Sequence, residues 1–231
     1  MTTVKPRTAH RDGTADTDPA AVADRLVESM MHIATDNPFV VKAREGLLTD
    51  EDLTTLVRLE NATLDNVTTP IALAATRFPD TTSFDFLLEV TQTVREDKAG
   101  VLAAAKAGNT ALEEYPGHHL GPVAYTYAGY INWLLVNASA TSIALVAYAD
   151  ISLWHYACAL LTPILEKRPG LPKEVLDYVA SYQERPDDIL DKALAAATDA
   201  IAAGDDLEHA AATVRLMEPH LAAFWQAAAG A

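Results

Sequence analysis

The sequence predicts an all-α protein: a bundle of seven to eight helices around a central apolar helix pair. Three observations lead there. Apolar residues recur at helical spacing nearly throughout, with no sustained period-two alternation and no Asn-Gly or Asp-Gly hairpin signal between apolar runs. Cap residues and proline breaks cut the chain into helix-length pieces. Two consecutive stretches, about 123–137 and 140–166, are apolar on nearly every face, while their neighbours are amphipathic. A helix without a polar face belongs inside a bundle.

The elements follow in order. Asp18-Pro19 starts a first helix, because an acidic cap followed by proline suits a helix N-terminus. That helix carries Leu26, Met30 and Ile33 and stops before Asn37-Pro38. Thr49 with Asp52 three residues on forms a capping-box pattern and places acids at the positive end of the dipole. The helix it opens runs past Glu60 towards Pro70, where the chain kinks or continues into Ile71–Ala75. Thr82-Ser83 caps a helix through Phe86, Val90 and Val94 to about Ala107. Gly108-Asn109, Tyr115-Pro116-Gly117 and Gly121-Pro122 mark a loop that contains His118-His119. The two apolar helices come next, and Arg168–Pro172 breaks the chain after them. Helices near 173–183, 187–203 and 205–228 complete the bundle, with alanines that favour close helix contact. No Gly-, Ser- or Pro-rich linker divides the chain. Residues 1–18 read as a polar, disordered leader and 19–231 as a single helical domain.

Composition narrows the partners. Of 231 residues, 50% are hydrophobic, so a sizeable core is available. Lys plus Arg is 17 against 32 for Asp plus Glu, a formal charge of −15. Such a surface repels phosphate backbones and anionic bilayers, which argues against nucleic acid and membrane partners. The uncharged run from Val123 to Ala149 contains Tyr125, Tyr127, Tyr130, Asn132 and Asn137, which suits a buried helix better than a membrane span. A single cysteine, Cys158, excludes an internal disulfide and a multi-cysteine metal site. The expectation is a soluble cytoplasmic protein whose partner is a small molecule.

No phosphate-binding glycine loop, nucleophile elbow or paired Glu-x-x-His motif occurs. None of the seven histidines lies three or four residues from another, so no helix face offers two imidazoles to one metal. Glu60 is an acid in an otherwise uncharged helix face with Leu56, Thr63 and Val67. Asp150 is the sole charge between Val123 and Leu165, and a buried charge must be paired or neutralised. Ser152 and Tyr156 share a helix face at i and i+4. His155 is the only histidine in a core helix.

Four segments carry a family resemblance. The run N-P-F-V-V-K-A-R-E-G-L-L-T-D-E-D-L from Asn37, the helix A-Y-T-Y-A-G-Y-I-N-W-L-L-V-N-A-S from Ala124, the Trp154-His155-Tyr156 helix end and Leu221-Ala222-Ala223-Phe224-Trp225 resemble the TenA (thiaminase II) group, over about residues 20–228. The resemblance implies the haem-oxygenase-like fold with a pocket inside the bundle. It places the family's pocket carboxylate at Glu60, the aromatic one turn later at Thr63 and pocket tyrosines at Tyr130, Tyr156 and Tyr182. The nucleophilic cysteine falls at Ser152, and the catalytic glutamate at Leu221 with His220 beside it. Displacement at thiamin needs a thiolate and an acid. The chain is therefore expected to be a divergent member without ordinary thiaminase activity. The pyrroloquinoline-quinone synthase branch shares the fold and works without a metal, but its basic cluster is not reproduced.

The expected function is a cofactor-independent enzyme of small-molecule, secondary metabolism. It performs acid–base elimination, cyclisation or hydrolysis on a nitrogen-containing substrate, favouring a cationic amine. Glu60, Asp150, Ser152 and His155 are the expected catalytic residues. Thr63, Tyr130, Tyr156, Tyr182 and His220 are the expected substrate contacts. No cofactor and no metal is expected. The alternatives are a non-catalytic ligand-binding or partner subunit and a metal-dependent oxidase of the same fold. A homo-oligomer, or a hetero-oligomer with a same-fold subunit, is expected because family relatives commonly assemble.

Overall fold

A computed structural model describes residues 18–112 and 120–230. Residues 1–17 of the expected leader and the His118-His119 loop lie outside the described residues. Among those described, every regular element is helical. The α-helices are α1 (Pro19–Thr35), α2 (Pro38–Arg44), α3 (Asp50–Ala75), α4 (Thr82–Ala107), α5 (Thr126–Asn137) and α6 (Ala140–Leu165). They continue with α7 (Lys173–Ala180), α8 (Asp187–Ala202), α9 (Leu207–Arg215) and α10 (Met217–Ala228). A short 3-10 turn, Pro122–Tyr125, leads into α5.

Among the described residues the α-helices number ten, because Pro38–Arg44 forms a helix of its own and the segment 205–228 is broken at Leu216. One side chain makes the first of these junctions. Asn37 donates from Nδ2 to the Ile33 carbonyl at 2.8 Å and accepts from the Val40 amide at 2.9 Å. It closes α1 and caps α2 at once. The Thr49–Asp52 capping box is present in full. Asp52 also receives Lys42 at 2.9 Å, and the same ammonium donates to the Ala229 carbonyl at 2.7 Å. This ties the chain's last helix to α2 and α3. Pro70 does not end α3, which runs on to Ala75. The cap of α4 is Thr81, whose hydroxyl accepts from Phe84 N, one residue before the expected position.

Of the apolar pair, α6 is the helix at the centre. It packs against α1, α2, α7, α8 and α9, and Ser142, Ala149 and Ala157 are wholly buried. By length and composition α6 would also span a bilayer. Here its apolar faces are covered by other helices. Helix α5 packs on α3 and α10 instead, and leaves Trp133 and Val136 facing outward. One contiguous hydrophobic core joins all ten helices. Its aromatic anchor is Trp225, stacked on Trp154 at 5.4 Å and tilted against Phe39 at 6.0 Å.

Candidate functional site

Helices α3 to α6, the α7–α8 link and α10 surround a cavity of about 220 Å³. Most of its wall is aliphatic, and three carboxyl groups enter it: Glu60 from α3, Asp97 from α4 and Asp150 from α6. Each has a phenol beside it. The Tyr178 hydroxyl donates to Glu60 Oε2 at 2.8 Å. Tyr182 lies against Asp97, and Tyr127 against Asp150. The local sequence explains this spacing. Tyr178 is in the last turn of α7 and Tyr182 in the turn that follows it, and the two rings meet edge to face at 5.4 Å. One reaches the acid of α3 and the other the acid of α4. Gly100 makes room for the first, since a Cβ there would stand 3.1 Å from Tyr178 Cδ2.

Burial dominates the electrostatics. Removing Glu60 from water raises its pKa from 4.5 to about 8; the Tyr178 bond opposes this, and the charges of Asp97 and Asp150 add to it. Burial also raises Asp97 from 3.8 to about 6, against the effect of Tyr182. Asp150 rises from 3.8 to about 6 for the same reason, against Tyr127. At neutral pH, Glu60 is then mainly protonated and the two aspartates mainly ionised. His155 lines the same end of the cavity. Its Nδ1 contacts the Glu184 carbonyl at 2.6 Å, so Nδ1 carries the proton and Nε2 is the acceptor. Burial lowers the His155 pKa, which keeps the ring neutral.

Of the residues expected from sequence, the structure brings Glu60, Asp150, His155, Thr63 and Tyr182 to the cavity wall. The others stand elsewhere. Ser152 is buried in α6, its Oγ has no hydrogen-bond partner among the described residues, and it lies on the face of the helix away from the cavity. Tyr156 is 46% exposed, one turn further round the same helix. Tyr130 turns from the cavity and donates to the Thr213 carbonyl at 2.7 Å. His220 stacks on Tyr130 at 5.1 Å, leaving Leu221 and Phe224 as the α10 residues that line the cavity. Cys158 is buried outside the cavity, and burial pushes its thiol pKa well up, further raised by Glu60.

Asp97, Tyr127, Tyr178 and Trp154 are the site residues that sequence reasoning missed. A signal for Asp97 existed. Phe86, Val90, Val94, Asp97 and Val101 recur at steps of four, four, three and four, so the acid sits within the apolar stripe of α4. The neighbouring acids lie off that stripe, and Glu89 pairs with Lys192 at 2.6 Å. Among the described residues, no group of three or more His, Cys, Asp or Glu side chains is placed to share a metal ion. His32 does not face the interior and meets Glu218 at 3.4 Å on the surface.

The helical architecture and this internal cavity define an all-α, haem-oxygenase-like bundle. A TenA homologue from Pseudomonas syringae pv. tomato superposes with a TM-score of 0.74, over 94% of this chain and 97% of that one, at 10% identity. A TenA homologue from Pyrococcus furiosus gives 0.70, over 90% and 99%, at 16% identity. The sequence itself matches no family model and no curated protein. The resemblance to the TenA group is thus one of fold, retained across nearly the whole chain.

Proposed function

We propose that this chain is an acid–base enzyme of small-molecule metabolism, acting without a cofactor on a nitrogen-containing substrate held in the cavity. The supporting observation is that one mostly apolar cavity holds carboxyl groups whose environments separate their protonation: Glu60 near 8, Asp97 and Asp150 near 6. Titratable pairs driven apart in this way supply an acid and a base at the same pH. Glu60 is the proton donor. Asp150 is the base, and Asp97 holds the positive charge of the substrate. His155 offers a neutral Nε2 as a further acceptor. Elimination, cyclisation and hydrolysis each need these groups and no electron carrier. Thiaminase displacement is not part of the proposal, because the only thiol, Cys158, lies outside the cavity and is held protonated.

The test is turnover of a library of nitrogen-containing metabolites, followed by mass spectrometry. Wild type should consume a compound that Glu60→Gln and Asp150→Asn convert roughly 10²–10⁴-fold more slowly. Cys158→Ala should keep the activity. Equal turnover by Glu60→Gln would remove the acid–base reading. Turnover that depends on Cys158 would replace it with nucleophilic chemistry.

A further inference from the structure

The cavity is polarised along its length. On α3 the wall runs Glu60, Thr63, Leu64, Val67, Ile71. Eleven residues at 1.5 Å rise span roughly 16 Å. Helix α4 runs the other way and repeats the order, from Asp97 through Val94 and Val90 to Phe86. On α6, His155 and Asp150 stand at the end near Glu60, and Val146 and Ile143 follow. Helix α5 offers Tyr127 at the same polar end and Leu134 and Leu135 beyond it. Four helices therefore agree: one end is acidic and aromatic, and the other is hydrocarbon. The Thr93 hydroxyl is spent on the Glu89 carbonyl, so it adds no polar group to the second part.

Among the described residues, no lysine or arginine lines the cavity. An anionic head would meet carboxylates with no countercharge. A second ammonium group would find no acceptor at the Ile71 end, where burying it unpaired is costly. A volume of about 220 Å³ drawn out in this way is long and narrow. We propose that the site takes an amphiphilic amine, with its protonated nitrogen between Asp97 and Asp150 and an unbranched hydrocarbon tail lying between α3, α4 and α6 towards Ile71. This rests on the acid–base reading of the same site and adds the class of molecule it acts on.

The probes are n-butylamine, n-hexylamine and n-octylamine, with n-octanoate, 1-octanol and spermidine as comparators. Binding is read calorimetrically and by tryptophan fluorescence, to which Trp154 in the cavity wall contributes. Affinity should rise about fourfold per methylene, the ratio for burying one such group. Octanoate should not bind, and octanol should bind more weakly than octylamine. Ile143→Phe, which places bulk on the α6 wall about 10 Å beyond Asp150, should weaken octylamine at least tenfold. It should leave butylamine within about twofold, which also shows that the variant is folded. Octanoate binding as well as octylamine, an absent chain-length dependence, or spermidine binding tighter than octylamine would each overturn the proposal. Turnover of a short polar amine without chain-length dependence would leave the acid–base reading standing and remove this one. Chain-dependent binding of alkylamines, with Glu60→Gln as active as wild type, would do the reverse.

Discussion

Glu60→Gln separates the energetics of the site from its chemistry. Protonated Glu60 and glutamine have the same shape, and either can accept the Tyr178 hydroxyl seen at 2.8 Å. Ionised Glu60 has no equivalent in the variant. Its pKa is raised from 4.5 in an exposed chain to about 8 in the fold. The folded state thus holds its proton more tightly than the unfolded state does. The stability this contributes is fully present below pH 4.5, falls as pH rises and is lost above about 8. The interval spans roughly three and a half pH units, and each is worth about 1.4 kcal/mol. Glu60 alone should therefore cost wild type at most about 5 kcal/mol between acid and alkaline conditions. Glutamine does not titrate, so the variant escapes that loss. Asp97 and Asp150 titrate near 6, while Glu60 is still neutral, and His155 is present in both proteins. Their effects therefore largely cancel in the comparison. Urea unfolding of both proteins from pH 5 to 9 measures it. Near pH 5 the two should match within about 1 kcal/mol, and by pH 9 the variant should be more stable by several kcal/mol. A difference that stays flat across this range would refute a Glu60 held neutral by burial.

Three other substitutions test neighbouring parts of the argument. Tyr178→Phe removes the donor that lowers the Glu60 pKa, so that pKa should move above 8; carboxyl-carbon NMR titration checks it, and a fall would contradict the geometry. Ser152→Ala deletes a buried hydroxyl that has no partner among the described residues, so it should be neutral or stabilising by about 1 kcal/mol and leave turnover unchanged. A large loss of activity would return Ser152 to the site. Asn37→Ala removes the side chain that closes α1 and caps α2, and should destabilise by about 2 kcal/mol in chemical unfolding.

The fold was legible because its signals are local and redundant. Asp18 and Thr49 each cap a helix with the side chain the sequence displays there. The break at Leu216 carried a signal that was passed over: Pro219, which cannot bond back to the Arg215 carbonyl and suits the first turn of a new helix. What stays illegible is the direction α10 takes to set Trp225 against Trp154 and Phe39. The inward position of α6 and the outward face of α5 look alike in composition. They differ only in which neighbours cover them, which is tertiary information.

The site was less legible for a geometric reason. Ser152, His155 and Tyr156 occupy a single turn of α6, and helical residues point about 100° apart in succession. Only His155 of these three reaches the cavity. A family motif carried residue by residue preserves the turn, but a small rotation of the helix changes which side chain faces inward. Glu60 and Asp150 were legible because charge is expensive in an apolar run, and that physical rule does not depend on an aligned motif. Applied to α4, the same rule selects Asp97 over Glu96 and Glu89, since only Asp97 interrupts the stripe from Phe86 to Val101. Where sequence identity to the similar structures is 10–16%, an acid standing in a hydrophobic stripe marks the interior more reliably than a motif position carried over by resemblance.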